Sequence, residues 1–320
     1  MTPPLSDHFN GKTFFQPHHA IAGGLRELWR WKLSAKPKPW PRQIALDPRP
    51  KSHPTTPRAS GVAATWIGHS SFLLQAPSLN VLFDPVFSER VSPVAWAGPR
   101  RVHPPGVALG DLPRIDAVLL SHDHYDHCDL PSLRALAARH DPLFIAPLRH
   151  RDLLTASGAR RIVELDWWQS HALGEEASVV LTPSKHWSNR IGTPRNFRLW
   201  GGFFLNLGSR RFWFVGDTGY NAEIFRAVRQ RCGPPDLALV PIGAYEPRWF
   251  MAPMHINPAE AVQLHRDVGA RRSVGMHWGT FQLTDEGRDD PAEALVIARE
   301  TAGLTPEDFR VVAPGGSVVI

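Results

Sequence analysis

Four side chains of the metal-ligand type lie within one short segment, in the pattern His122-x-His124-x-Asp126-His127, directly after an apolar run. Imidazole nitrogens and carboxylate oxygens are ligands that zinc, manganese and iron accept. Side chains two positions apart in an extended turn point the same way, so His122 and His124 can face one ion while Asp126 and His127 serve a second. Composition alone gives only about 0.002 chance occurrences of the pattern, so a solvated polar loop explains it poorly.

Three further candidate ligands stand alone, each shortly after an apolar run: His186, Asp217 and His277. A single histidine beside a strand is more often a hydrogen-bonded core residue than a ligand. Their shared position changes that balance, because residues just past strand ends gather at one edge of a sheet structure. Gly216 and Gly219 flank Asp217, and we expect them to let the backbone approach an ion closely.

The elements that must position these side chains are short apolar strands interspersed with helices. Helices are predicted over residues 129–140, 257–269 and 290–303, and the last two open with a polar cap residue, a proline and a glutamate. The apolar runs that read as buried strands cover residues 62–67, 79–83, 117–120, 178–181, 212–215, 237–240 and 273–276. The fold class is therefore α/β, without internal repeats.

Length and composition exclude several classes of protein. The chain has 320 residues, 42% hydrophobic and 21% charged, which is enough for a large packed core and too apolar for a disordered chain. No apolar run reaches the roughly 18 residues of a membrane-spanning helix, and the first residues lack the features of a secretion signal. Two cysteines cannot form a disulfide framework, so we expect a cytoplasmic protein. A formal charge of +6 favours anionic partners.

The N-terminal residues differ in character from the rest. We predict a basic arm, rich in proline and tryptophan, over residues 1–60, packed on a single domain over residues 61–320. Residues 25–42 interleave arginine and lysine with Trp29, Trp31 and Trp40, and a short helix is expected before Pro37. One interpretation is an arm that packs on the body through its tryptophans. The other is contact with an anionic lipid surface, which would make the protein peripheral on the inner membrane face.

The residues of these motifs and their order along the chain resemble those of the metallo-β-lactamase superfamily. Within it the chain is similar to the branch of phospholipase D enzymes that hydrolyse N-acylphosphatidylethanolamine. The resemblance implies an αβ/βα sandwich of two mixed β-sheets flanked by helices. It rests on TWIGH at 65–69, DPVF at 84–87, SHDHYDH at 121–127, TPSKHW at 182–187, GDTGY at 216–220, GAYEPR at 243–248 and MHWGTF at 276–281.

The resemblance also implies a ligand set for two divalent metal ions, with zinc expected and manganese or iron as alternatives. One ion would be held by His122, His124 and His186, the other by Asp126, His127 and His277, with Asp217 bridging both. Counting two dications, two aspartates and a hydroxide leaves roughly one positive charge, which suits a phosphate diester. A metal-bound hydroxide would then attack phosphorus.

A further histidine and an apolar group have open roles. His255 matches a family position near the substrate phosphate and precedes a helix start, so it either binds the diester or makes a structural hydrogen bond. With Asp126 and Asp217 it completes the expected catalytic group. For His69, core packing is favoured over chemistry. Apolar side chains just before His255 either line an acyl-chain groove or form a buried loop cluster: Trp249, Phe250, Met251 and Met254.

The function expected from these features is a phosphodiesterase of the phospholipase D type. It would cleave N-acylphosphatidylethanolamine-like phospholipids to phosphatidic acid and an N-acylethanolamine. The alternative is a metal-dependent lactonase or another phosphodiesterase with a soluble substrate, and a non-catalytic metal-binding scaffold is less favoured. A nucleic acid partner is not expected, because no arginine-rich aromatic platform occurs. The sequence is compatible with a homodimer.

Overall fold

The computed structural model describes residues 6–17, 24–46 and 61–320. Its helices, within these residues, are α1 (Leu25–Ser34), α2 (Leu130–His140), α3 (Arg151–Ala156), α4 (Ala222–Cys232), α5 (Arg248–Met251), α6 (Pro258–Val268) and α7 (Asp290–Thr301). The strands are β1 (Ala63–Gly68), β2 (Ser71–Ala76), β3 (Leu79–Phe83), β4 (Ala117–Leu119), β5 (Leu143–Pro147), β6 (Arg161–Leu165), β7 (Ser170–Ala172), β8 (Ala177–Thr182), β9 (Gly202–Leu207), β10 (Arg210–Phe214), β11 (Leu237–Pro241), β12 (Ser273–Met276), β13 (Phe309–Arg310) and β14 (Ser317–Val319).

The described strands form two mixed sheets of seven strands each. The first sheet has the order β14-β1-β2-β3-β4-β5-β6 and the second the order β13-β12-β11-β10-β9-β8-β7. In each sheet one half is antiparallel and the other parallel: β3 to β6 run parallel in the first sheet, and β10 to β13 in the second. The last strand, β14, pairs with the first strand, β1, so the two ends of residues 61–320 meet in one sheet.

The two sheets face each other across an apolar core. The rings of Phe83 on β3 and Phe214 on β10 stack with centroids 4.8 Å apart, which joins the two sheets at their centre. Helix α2 buries Leu133 and Leu136 against the outer side of the first sheet, and α4 and α6 cover the second sheet. The arrangement of helix, sheet, sheet and helix confirms the predicted αβ/βα sandwich.

All the predicted strands and helices are present, with small shifts at their ends. Asn257 caps α6 as predicted: its side chain accepts a hydrogen bond from the Glu260 N–H, and the Glu260 carboxylate accepts one from the Asn257 N–H. At α7 the prediction is displaced by one residue, because Asp289 is the N-cap and Asp290 is already helical. The Asp290 carboxylate instead accepts hydrogen bonds from the Gly287 N–H and from Lys38.

The described part of the arm lies against the body. Trp31 on α1 donates a hydrogen bond from Nε1 to the Asp285 carboxylate, Trp40 donates one to the Glu286 carbonyl oxygen, and Lys38 forms an ion pair with Asp290. The arm residues 1–5, 18–23 and 47–60 lie outside the described residues. No helix in the described part of the chain has the length and apolar content needed to span a bilayer.

Candidate active site

The predicted ligands meet at one edge of the sandwich because each follows the end of a buried strand. The segment from His122 to His127 follows β4 in the first sheet. In the second sheet His186 follows β8, Asp217 follows β10 and His277 follows β12. The strands are apolar and buried throughout their last residues, so the polar side chains emerge only where the chain leaves the core.

Asp217 lies at the centre of the group. Its Oδ2 atom is 3.1 Å from His277 Nε2, 3.3 Å from His127 Nε2 and 3.7 Å from His186 Nε2. His122 Nε2 lies 3.9 Å from the same oxygen. Asp217 therefore contacts members of both predicted ligand triads, which is the position that a bridging carboxylate requires.

The first triad is three histidines whose nitrogens converge. His124 Nδ1 lies 2.9 Å from His122 Nε2 and 3.4 Å from His186 Nε2. Burial lowers the pKa of all three imidazoles. They are therefore neutral at physiological pH, and a neutral imidazole offers the lone pair that a cation needs.

The second triad surrounds the carboxylate of Asp126. Its Oδ2 atom lies 3.4 Å from His277 Nε2 and 3.5 Å from His127 Nε2. His69 joins this group, since its Nε2–H donates a 2.9 Å hydrogen bond to Asp126 and its ring lies 4.1 Å from that of His277. The sequence interpretation favoured core packing for His69. The structure places its ring in the core and its polar edge on a predicted ligand.

Electrostatics within the cluster favour added positive charge. Burial alone would lower the pKa of His277, but Asp217 and Asp126 outweigh it and raise the pKa to about 9. The same two carboxylates raise the pKa of His127 well above its usual value despite burial. Burial alone would raise the pKa of each aspartate, but His127 and His277 outweigh it and hold both values well below the usual range. Both carboxylates are therefore ionised, and their field attracts cations.

Three histidines of the cluster make a hydrogen bond through Nδ1, so Nε2 is the nitrogen that faces Asp217. His127 donates from Nδ1 to Asp84 at 2.7 Å, and His186 donates from Nδ1 to the Met254 carbonyl oxygen at 3.0 Å. His122 Nδ1 lies 2.8 Å from the Ser121 hydroxyl. With Nδ1 protonated, each ring would present Nε2 to a cation beside Asp217, as metal-binding histidines do. Asp84 had entered the sequence interpretation only as part of a family motif.

The residues present fit a metal. Several polar atoms of the cluster are buried without a hydrogen-bond partner among the described residues, and an unsatisfied buried polar atom is costly. They are His124 Nε2, His127 Nε2, Asp217 Oδ1, His255 Nδ1 and both ring nitrogens of His277. Of these atoms, His127 Nε2 and His277 Nε2 face Asp217, and a cation beside Asp217 would satisfy them.

His255 lies beside the triads without belonging to either. Its Nδ1 is 3.9 Å from Asp217 Oδ2, and its ring is 5.2 Å from that of His186. Burial lowers the pKa of His255 to about 4. Cys128 is also buried nearby, and burial raises the pKa of its thiol to about 12, which keeps it protonated and unsuited to metal.

The two glycines that flank Asp217 have a different reason from the one expected. A Cβ atom on Gly216 would lie 2.6 Å from the carbonyl oxygen of Gly201, and one on Gly219 would overlap the carbonyl of Pro253. The close approach is thus between backbone segments. Gly216 also adopts a φ of +68°, which favours glycine.

A cavity of about 540 Å³ opens onto the cluster. Its polar lining includes His124, Asp126, Asp217, His255 and His277, together with Asn189 and Arg195. Its apolar lining includes Leu28, Trp31, Phe250, Met251, Met254 and Leu283. One volume therefore joins the candidate metal centre to an apolar wall.

Residues 79–278 match the sequence profile of the family described as the beta-lactamase superfamily domain. The match covers more than half of the chain and includes all seven predicted ligands. The chain belongs to the metallo-β-lactamase superfamily. The protein is a metal-dependent hydrolase, which confirms the prediction from the sequence.

Two relatives of this protein are named as phospholipase D enzymes that hydrolyse N-acyl-phosphatidylethanolamine. The N-acyl-phosphatidylethanolamine-hydrolyzing phospholipase D 1 of Caenorhabditis elegans is 39% identical over 74% of this chain and 69% of its own length. The enzyme of that description from Saccharomyces cerevisiae is 35% identical over 75% of this chain and 52% of its own length. A solved metallo hydrolase from Ignicoccus hospitalis has a TM-score of 0.61 at 21% identity, covers 82% of this chain and 99% of its own, and shows the shared fold.

Proposed function

We propose that this protein is a binuclear phosphodiesterase of the phospholipase D type. It would cleave N-acylphosphatidylethanolamine-like phospholipids to phosphatidic acid and an N-acylethanolamine. The observation that carries the proposal is the single cavity that joins the Asp217-centred cluster to an apolar wall. A phospholipid needs both parts, since its diester is anionic and its chains are hydrocarbon, whereas a small lactone needs only the polar part. The names of the two relatives support the same reaction.

The candidate metal centre would hold two divalent cations, with zinc preferred and manganese or iron as alternatives. His122, His124 and His186 are proposed to hold one, Asp126, His127 and His277 the other, and Asp217 both. When bound, such ions supply Lewis acidity and a water acidic enough to ionise near neutral pH. The clustering of ligand atoms within 4.8 Å of one another in each histidine-rich group supports this assignment.

His255 is proposed to bind and orient the diester. It lines the cavity, and its lowered pKa keeps the imidazole neutral, so one ring N–H remains to donate to a phosphate oxygen. The residue stands two positions before Asn257, the N-cap of α6, and the positive end of the helix dipole favours an anion. These two features support a substrate role over a structural hydrogen bond.

Arg195 is proposed to add positive charge for the substrate. It is the one arginine among the described residues that line the cavity, and no lysine in that group lines it. Its guanidinium carbon lies 4.4 Å from the centroid of the Trp187 ring, and that ring lies 4.6 Å from the ring of His124. A guanidinium that stacks on an aromatic ring is held in position, and its positive charge attracts an anion.

The outer face of α1 is proposed to contact a membrane surface. Trp29 is 65% exposed and Leu33 84% exposed, while Arg26 and Arg30 on the same side of the helix are exposed as well. The Arg30 guanidinium covers the ring of Trp249, which is itself 46% exposed. Exposed tryptophan and leucine among arginines suit the headgroup region of an anionic bilayer.

The wider setting follows from the same features. We propose that residues 61–320 form the hydrolase domain and that residues 1–60 form an arm that serves it at the inner face of the membrane. Cys128 and Cys232 are both free, which fits the reducing cytoplasm. A homodimer is compatible with this arrangement.

The proposal is tested by assaying the full-length, metal-loaded protein on N-acylphosphatidylethanolamine in mixed micelles. Separate preparations carry zinc, manganese or iron, and bound metal is counted by elemental analysis. We expect two metals per chain and release of phosphatidic acid. Hydrolysis of water-soluble lactones without any lipid hydrolysis would select the lactonase, and a metal that cannot be removed without unfolding, with no turnover, would select the scaffold.

The membrane contact is tested separately by vesicle sedimentation. The double variant Trp29→Ala and Leu33→Ala should lose binding to vesicles that contain anionic phospholipid while keeping its activity on micellar substrate. Trp96 provides a matched control, because it is 81% exposed and lies outside α1. Loss of vesicle binding by Trp96→Ala alone, with the α1 double variant unchanged, would refute the assignment to α1.

A further inference from the structure

Helix α1 has a second face, which lines the substrate cavity. Leu28 and Trp31, three positions apart and therefore on the same side of the helix, line the cavity together with Gly24 just before the helix. Trp31 is buried, whereas Leu28 is 38% exposed. This cavity face of α1 (Gly24, Leu28 and Trp31) lies outside residues 79–278, the span that matches the superfamily profile.

The cavity face is held on the body by directed contacts. The Trp31 ring stacks on that of Phe250 with centroids 5.3 Å apart, and its Nε1–H donates to the Asp285 carboxylate at 3.1 Å. Asp285 follows Leu283 and Thr284, which line the same cavity. The loop that carries these residues also accepts a hydrogen bond from the Lys38 N–H at the Asp285 carbonyl oxygen. The position of α1 is therefore coupled to the loop of Leu283 and Thr284, which lines the same cavity as the candidate metal centre.

We propose that the cavity face of α1 is the element that selects the hydrocarbon part of the substrate. This inference rests on the proposed function and deepens it. An indole ring and a leucine side chain, together with Phe250, Met251 and Met254, give the cavity an apolar lining that suits a linear acyl chain. The candidate metal centre recognises the diester, which all such lipids share, so discrimination between acyl chains falls to this wall.

The experiment compares Trp31→Ala, Leu28→Ala and Trp31→Phe in the full-length, metal-loaded protein. The first measurement is the affinity for a dansyl-labelled fatty acid, which requires no turnover. The second is kcat/KM for short-chain and long-chain N-acylphosphatidylethanolamines in mixed micelles. The third is hydrolysis of bis(para-nitrophenyl) phosphate, which has no acyl chain. Trp96→Ala, at an exposed tryptophan outside both α1 and the cavity lining, is the control.

We expect Trp31→Ala and Leu28→Ala to weaken fatty-acid binding about tenfold and to lower kcat/KM for long chains by a similar factor. Hydrolysis of bis(para-nitrophenyl) phosphate, the short diester, should stay unchanged, and Trp96→Ala should bind the fatty acid as wild type does. Trp31→Phe, which keeps an aromatic ring and loses the bond to Asp285, should retain most of the preference for long chains.

Two results would overturn the proposal. One is wild-type fatty-acid binding in both alanine variants. The other is an equal loss of activity on all substrates, including the short diester. If Trp31→Ala fails to fold, Leu28→Ala decides, because that side chain is partly exposed. If no lipid is hydrolysed at all, the proposed function fails, and the fatty-acid measurement still tests the wall by itself.

Discussion

The carboxylate of Asp84 accepts a 2.7 Å hydrogen bond from Nδ1 of His127, and both side chains are completely buried. Asp84 also accepts hydrogen bonds from the Ser121 N–H at 2.7 Å and the Ser121 hydroxyl at 2.6 Å. With its oxygens occupied by these donors, Asp84 orients the loop after β4 and fixes which nitrogen of His127 carries the proton. Nε2 is then free to face Asp217.

Asp84→Asn should therefore weaken metal binding about 10- to 100-fold, with a matching loss of activity. Asparagine has one acceptor oxygen and cannot accept from both the Ser121 N–H and His127 Nδ1. With the oxygen on Ser121, the amide N–H faces Nδ1, so the imidazole proton moves to Nε2 and blocks the ligand lone pair. Metal affinity is measured by competition with a chromogenic chelator. Asp129→Asn is the matched control, since Asp129 is a buried carboxylate bound to the Ser88 and Ser132 hydroxyls and should leave the affinity unchanged.

Asp217→Asn should lose one or both metals and most of the activity. The carboxylate faces histidines of both triads, and its negative charge would hold cations there. The fold should persist, because the core between the sheets is apolar and separate from the cluster. Elemental analysis, circular dichroism and turnover are measured together. Wild-type metal content with full turnover would refute the bridging role.

His255→Ala should keep its metal and raise KM for the lipid more than it lowers kcat. The side chain lines the cavity but lies outside both ligand triads. The control is His265→Ala on α6, a buried histidine that donates to or accepts from the Ser273 hydroxyl away from the cavity. Unchanged kinetics in His255→Ala would return this residue to a structural role, and loss of metal would make it a ligand.

His8 should make stability depend on pH. Burial alone would lower its pKa, but hydrogen bonds to Asp166 and Asp7 outweigh this and raise the pKa above 6.5. Because the native pKa exceeds the unfolded one, the contribution is complete below pH 6.5 and is lost as the pH rises through the native value. The difference in free energy of unfolding between wild type and His8→Gln should be larger at about pH 5.5 than at about pH 8.5. An equal difference at both values would contradict this.

Much of the architecture could be read from the sequence because buried strands are unbroken apolar runs. β3 and β12 have the predicted bounds, and the polar residues that follow β4, β8, β10 and β12 lie together as expected. Helix α6 was predictable from the Asn257 cap and the αL glycine at Gly269. In each case the signal is local.

Seven of the described strands were not predicted, and three of these, β2, β5 and β9, are buried apolar runs that went unrecognised. Other missed strands and residue roles depend on distant partners. β6 and β7 lie at sheet edges and carry exposed or half-buried residues, so no apolar run marks them. The part played by His69 is set by Asp126, 57 positions away in the chain, and that of Asp84 by His127. The cavity face of α1 became visible only when Leu28 and Trp31 were seen beside the loops of the second sheet.

The candidate ligands are divided between the two sheets, with the His122–His127 segment on the first and His186, Asp217 and His277 on the second. Under the proposed assignment each cation would take ligands from both sheets, and it would therefore cross-link the two halves of the chain. Such an ion would bind only after the two halves have docked. The rate of metal uptake during refolding would therefore report on that docking step. Removal of the metal by a chelator should weaken the contact between the two sheets before either sheet unfolds.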